Sequence, residues 1–315
     1  MQRHVFSNLV EFGLIDEYNP LEIKDSLGLF RRGDRAQIPL LNKYFKDHRN
    51  ERTLISLESL IGWNPAIWKE RLAMNREAFP RDTTILITIR EPGSFMRSCF
   101  QQKWHSGHIV PPEDYFLSHK DYDRARLTAR YQIDEIFGVD DMNYRQIISD
   151  YANAFPKVVV VPTKKVNDLQ FLNEIGLSPS AEQIEQLQEK IVRGSRENRA
   201  FSQTAMKLTQ SRERFLNGLG LKSLSSLDHD HRKRFLSRQT KLSHPSLLTR
   251  VVRRGLTLFR LPRWRWLMHN VVDRIWPYKP YSLPPEIVRG RHFSENRRFV
   301  EEVQSLPQGI AVFER

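Results

Sequence analysis

Residues 83–107, TTILITIREPGSFMRSCFQQKWHSG, constrain the fold more than any other stretch of the chain. Residues 83–89 are a short run of apolar and β-branched side chains without polar alternation, which is how a parallel strand buried on both faces reads. Arg90 ends the run, Glu91-Pro92-Gly93 breaks it, and an amphipathic helix is predicted from about Ser94. A buried strand that passes through a tight turn into a helix belongs to an open α/β sheet, whose ligands gather at the carboxyl ends of its strands. Arg90 stands at such an end and Ser98 in the first turns of the helix. A guanidinium and a hydroxyl beside a helix N-terminus suit a phosphate monoester. The plainer alternative makes Arg90 a surface cap and Ser98 a serine on a helix face.

Two more strands are predicted, at 53–57 (TLISL) and 157–162 (KVVVVP); the four consecutive valines again read as buried on both faces. Apolar periodicity predicts helices over 1–12, 38–47, 63–79 and 144–155. In the second of these Leu40, Leu41 and Tyr44 are placed on one face, and in the third Trp68, Leu72 and Phe79 are placed in the core. Residues 167–176 read as a helix capped by Asn167 at its start and stopped by Gly176. Residues 203–280 are helical by pattern.

A chain of 315 residues with 39% hydrophobic side chains holds a sizeable core, and its net charge of +13 points to anionic partners: nucleotide phosphates, nucleic acid, acidic glycans or a membrane surface. The surplus is concentrated. Residues 231–272 contain eleven Lys and Arg and no Asp or Glu, interleaved with Val, Leu, Phe and Trp. Such a segment lies on an anionic membrane, clasps an acidic polymer such as a glycan, or stacks on nucleic acid, or else it is an ordinary helical subdomain with a solvated basic face. No helix-turn-helix, zinc-finger or RNA-binding aromatic pattern accompanies it, so sequence-specific nucleic-acid recognition is not expected. Cys99 is the single cysteine, which excludes a disulfide framework and reads as a packed small hydrophobe. No run is apolar enough for a membrane span and the N-terminus has no signal-peptide pattern, so a cytoplasmic location is expected, with peripheral membrane attachment as the variant. His105 and His108 are three residues apart but no carboxylate or thiolate set at ligand spacing accompanies them, and no metal is expected.

Arg90-Glu91-Pro92 after a buried strand, followed by Arg97-Ser98, resembles the 3′-phosphate-binding segment of bacterial-type sulfotransferases that use 3′-phosphoadenosine-5′-phosphosulfate (PAPS). The resemblance implies that Arg90 and Ser98 hold the nucleotide's 3′-phosphate. Residues 101–107 resemble the continuation of that helix, and 114–141 the variable region over the acceptor site. Ser56-Leu57-Glu58 resembles the strand end that carries a general base, so Glu58 or His105 would take the acceptor's proton. Against this, Glu58 fits the first turn of a helix and the histidines fit a plain surface. Residues 157–176 resemble the family's later strand and helix, and 287–303, with Phe293 and Asn296, its C-terminal helix. In 193–202 (RGSRENRAFS), Arg193 and Arg196 resemble a basic loop that reaches the 3′-phosphate, or else form a solvated linker.

The resemblance implies an α/β fold of the P-loop-like, three-layer type with a central parallel sheet and a basic helical C-terminal region. Residues 1–202 would be the core, and 203–315 the helical region packed on it. The family opens with a strand and a Lys-Thr-Gly/Ala-Thr-Thr loop for the 5′-phosphosulfate. No Lys-Thr-x-Thr occurs in these 315 residues, and 1–12 resembles the helix that follows the loop, so the core reads as N-terminally incomplete. The implied activity is sulfuryl transfer from PAPS to a hydroxyl or amine of a carbohydrate or similar acceptor, without metal. The alternative is a relative that binds nucleotide, anionic glycan or membrane without transfer. A phosphate-transferring kinase relative is disfavoured by the absence of a Walker lysine.

Overall fold

Four valines place the central strand. A computed structural model describes residues 2–57, 60–62, 64–105, 111–127, 136–194, 201–218, 264, 266–287 and 290–314. Its strands are β1 (Glu17–Tyr18), β2 (Thr53–Leu54), β3 (Thr84–Ile89), β4 (Phe116–Leu117), β5 (Phe137–Gly138), β6 (Lys157–Pro162) and β7 (Ala311–Glu314). Val158 to Val161 on β6 are at most 1% exposed, so the strand is covered on both faces. It is also flanked on both edges, in a three-stranded sheet of order β3-β6-β7. β3 runs parallel to it, Thr84 opposite Lys157 and Ile89 opposite Pro162, and β7 runs antiparallel. Two short parallel pairs, β1 with β2 and β4 with β5, complete the described strands.

The described α-helices of four residues or more are α1 (Gln2–Glu11), α2 (Lys24–Phe30), α3 (Ile38–Asp47), α4 (Trp68–Ala78), α5 (Pro92–His105), α6 (Pro112–Tyr115), α7 (His119–Leu127), α8 (Tyr144–Ala154), α9 (Phe171–Glu174), α10 (Ala181–Gly194), α11 (Gln203–Gly218) and α12 (Phe293–Ser305). Helices and small parallel sheets are thus mixed, an α/β arrangement. The chain divides into two units: Met1–Ser94, Phe116–Asn198 and Arg289–Arg315 form the first, Phe95–Tyr115 and Arg199–Val288 the second.

In the first unit, alternate valines of β6 face opposite ways. Val159 and Val161 join Val5, Phe6 and Leu9 of α1, Leu187 and Ile191 of α10, and Phe171 and Leu172 of α9 in one buried cluster. Helices α8 and α12 also pack on β6. A separate cluster joins Leu27 and Phe30 of α2, Ile38, Leu41 and Tyr44 of α3, and Met74 and Ala78 of α4. Asn75 of α4 ties this layer to α8, donating from Nδ2 to the buried Tyr151 hydroxyl at 3.1 Å and to the Leu60 carbonyl at 3.0 Å.

Several elements differ from their sequence expectation. The strand predicted over 53–57 stops at Leu54, because Asn19 pairs with Ser56 through its side-chain amide, Oδ1 accepting from the Ser56 N–H at 2.8 Å and Nδ2 donating to its carbonyl at 3.2 Å. The helix predicted over 167–176 is broken at Leu169, whose φ of 58° lies in the left-handed region. A single 3₁₀ turn, Val166–Asp168, precedes it, and Asn167 caps nothing. Gly176, at φ +84°, does terminate α9. On α3 the buried face is Ile38, Leu41 and Tyr44, and Leu40 points to solvent. The basic run of 231–272 and Arg196 lie almost wholly or wholly outside the described residues.

In the second unit, Phe100 on α5 packs against Trp104, Tyr115 and Tyr281, with ring centroids 5.4, 5.5 and 5.7 Å away. Buried Gln101 donates from Nε2 to the Phe201 carbonyl at 2.8 Å. Cys99 is buried, as expected of a packed thiol. Helix α11 presents Thr209, whose hydroxyl accepts from the Trp264 indole N–H at 2.9 Å and donates back to the Ala205 carbonyl at 2.7 Å. The buried Arg212 guanidinium lies 5.4 Å from the Trp264 ring centroid, a cation–π contact. A π-helical turn, Met268–Val272, packs on α11.

Candidate functional site

The carboxyl edge of the β3–β6 pair is where the first unit concentrates its fixed polar geometry. β3 ends at Ile89, and the chain turns through Arg90 and Glu91 into α5. Its end is held from two sides. Thr163, just past β6, donates its backbone N–H and its hydroxyl to the Ile89 carbonyl, at 2.8 and 2.9 Å. Tyr144, the first residue of α8, donates its hydroxyl to the Arg90 carbonyl at 2.9 Å. Tyr144 is itself fixed: its N–H donates to Oδ1 of buried Asn296 on α12 at 2.8 Å, and Asn296 donates from Nδ2 to the Met142 carbonyl.

Arg90 itself is exposed, and among the described residues its guanidinium has no ion pair or hydrogen bond. Its backbone is pinned while its charge is left uncompensated. Such a group is ready to take an oxyanion without first breaking an internal bond. Lys164, exposed in the loop after β6, adds a second cation at the same strand ends, whereas Lys165 is paired with Asp168 at 3.3 Å.

The turn after Arg90 carries a feature that the sequence reading missed. Glu91 folds back on α5: Oε1 accepts from the Gly93 N–H at 3.0 Å and Oε2 from the Ser94 N–H at 2.7 Å. The carboxylate therefore already fills the helix N-terminus that was expected to help bind a phosphate. A Cβ at Gly93 would lie 3.3 Å from Glu91 Oε1, so that carboxylate would have to give by a few tenths of an ångström, whereas the 3.5 Å to the Phe293 ring is ordinary contact. The signal was present in Glu-Pro-Gly-Ser, an acid just ahead of a proline in the first helical turn.

The other predicted site residues are placed as follows. Ser98 is on α5, half-buried, in the second unit, and among the described residues its hydroxyl has no hydrogen bond. His105 is the last residue of α5 and Arg193 lies near the end of α10; the positions of their side chains fall outside the description. Glu58 and Arg196 lie outside the described residues. Thr163, Lys164 and Tyr144 were not singled out from the sequence, since nothing local marks a threonine or tyrosine as a partner of a strand end 74 or 54 residues away.

Elsewhere in the first unit, His119 Nδ1 lies 2.9 Å from Asp141 Oδ1, and the His119 N–H donates to Asp140 Oδ2 at 3.0 Å. Burial holds the Asp141 carboxyl above the usual range, partly offset by His119. Among the described residues no group of three His, Cys, Asp or Glu side chains is arranged to hold a metal ion, and no helix is long and apolar enough to cross a membrane. No family model, no curated protein and no solved structure matches the chain.

Proposed function

We propose that the chain is a sulfotransferase-like protein of P-loop-like, three-layer architecture that binds the 3′-phosphate of PAPS. One observation carries this reading: Arg90 stands at the carboxyl end of a parallel strand with its backbone pinned and its guanidinium unpaired and exposed. Within the family resemblance Ser98 adds a hydroxyl to the same phosphate, and Arg193 and Arg196 add charge. The reaction is an in-line displacement at sulfur. An acceptor hydroxyl or amine, on a carbohydrate or similar molecule, attacks the sulfuryl group. The new bond to sulfur forms as the bond to the 5′-phosphate oxygen breaks, and 3′-phosphoadenosine-5′-phosphate leaves. Glu58 or His105 takes the acceptor's proton. The three equatorial oxygens need donors whose charge is fixed before reaction.

A second reading is a protein that binds the same nucleotide without transfer; these 315 residues hold no Lys-Thr-x-Thr. Both readings predict that 3′-phosphoadenosine-5′-phosphate binds at least about tenfold more tightly than 5′-AMP, which lacks the 3′-phosphate. Equal binding in titration calorimetry contradicts both. Release of 3′-phosphoadenosine-5′-phosphate from PAPS when carbohydrate acceptors are added separates them, since only a transferase produces it.

A further inference from the structure

The chain's entire excess of positive charge belongs to the second unit. That unit holds 20 Lys and Arg against 7 Asp and Glu, whereas the first unit is balanced at 30 against 30, and the whole chain carries +13. The same unit also leaves large apolar side chains in water. Ile275 is 65% exposed, Trp266 63%, Phe215 61% and Trp276 50%. Single exposed apolar residues are ordinary; four of them, three aromatic, in a unit of this charge are not.

The segment from Trp264 to Trp276 divides by face. Trp264, Met268 and Val272, spaced by four, are buried, as is Asp273. Trp266, Leu267, Arg274 and Ile275 are exposed. Trp276 and Lys279 follow, also exposed, and α11 presents Lys207, Arg214 and Phe215 to solvent. Cations and large apolar groups thus both reach solvent on this unit.

That pairing discriminates between anionic partners. An acidic glycan or a polyphosphate rewards the cations and leaves Ile275, Trp266 and Phe215 as wet as before. A bilayer surface rewards both: anionic headgroups attract Lys and Arg, indole rings settle at headgroup depth, and an aliphatic side chain reaches the acyl boundary. We propose that the second unit docks on an anionic phospholipid surface through Phe215, Trp266, Ile275 and Trp276, with Arg274 and Lys279 contacting the headgroups. The proposal is independent of the nucleotide reading.

Co-sedimentation of the full chain with vesicles tests it. Phosphatidylcholine vesicles containing phosphatidylserine are expected to carry the protein down at low salt, and pure phosphatidylcholine vesicles to leave it in the supernatant. The variant Trp266→Ala/Ile275→Ser/Trp276→Ala is expected to partition at least about tenfold more weakly onto the anionic vesicles, and Arg274→Glu/Lys279→Glu to lose affinity similarly. All five side chains are exposed, so the melting temperature stays unchanged. On a heparin column the apolar triple variant elutes with the wild type. A triple variant that binds anionic vesicles as tightly as the wild type, with heparin retention intact, makes this a polyanion site and overturns the proposal. So does a wild-type chain that binds neither vesicle, or both equally.

Discussion

Thr163 donates twice to the carbonyl of Ile89, through its backbone N–H at 2.8 Å and its hydroxyl at 2.9 Å. The bond joins the ends of two parallel strands one residue before Arg90. Thr163→Val keeps the shape and the backbone donor and removes the hydroxyl. Its loss is expected to cost about 1 kcal/mol in urea unfolding. Nucleotide affinity should fall severalfold as well, because the backbone that carries Arg90 loses a tether. A variant with lowered stability and unchanged affinity separates the clamp from the site.

Glu91 offers a test with two opposite signs. Its carboxylate caps Gly93 and Ser94 and places a negative charge next to Arg90 in sequence. Glu91→Ala is expected to lower stability by about 1 kcal/mol, the usual worth of a helix cap. The same change removes repulsion and frees two N–H donors, so affinity for 3′-phosphoadenosine-5′-phosphate is expected to rise. A fall in both quantities would mean that the carboxylate orients Arg90 and does not compete with the ligand.

Core substitutions ask whether α1 is integral to the first unit. Leu9 is fully buried in the cluster around Val159 and Val161. Leu9→Ala should destabilise by about 2–5 kcal/mol in a denaturant titration. A loss below about 1 kcal/mol, the range of exposed positions, would place α1 outside the core.

The first unit was legible where a single element's neighbours decide its pattern. Residues 157–162 were read as a doubly buried strand because four valines leave no polar face, and β6 has that form. Helix α3 has its expected bounds, Ile38–Asp47. The sequence reading failed where a distant residue intervenes. Asn19 supplies a side-chain amide in place of strand pairing at Ser56, and Leu169 adopts a left-handed conformation that its residue type disfavours. The candidate site divides in the same way. Arg90 was visible as a cation after a strand; Thr163 and Tyr144 were not, because their role depends on which strand and helix ends the fold brings beside it.

Asp141 supplies the pH dependence. Its folded carboxyl titrates above its ordinary value, chiefly through burial; Asp123 and Asp140 add to the rise and His119 opposes it. The folded state therefore holds this proton more tightly than the unfolded state. Asp141 favours folding below its unfolded pKa, and that contribution is lost as pH rises through the folded value. Asp141→Asn removes this slope. Thermal melts of the variant from mildly acidic to neutral pH should gain most, relative to wild type, at neutral pH. A gain that is largest at acidic pH has the opposite sign and contradicts the assignment.

The most direct measurement is calorimetric titration of 3′-phosphoadenosine-5′-phosphate into wild type, Arg90→Ala and Arg90→Lys. Removing the guanidinium is expected to weaken binding at least about tenfold, with Arg90→Lys between, since a lysine keeps the charge but not the two-pronged geometry. Melting temperatures should stay equal, because the Arg90 side chain is exposed and makes no hydrogen bond or ion pair among the described residues. Nucleotide binding that is unchanged in Arg90→Ala would contradict the account.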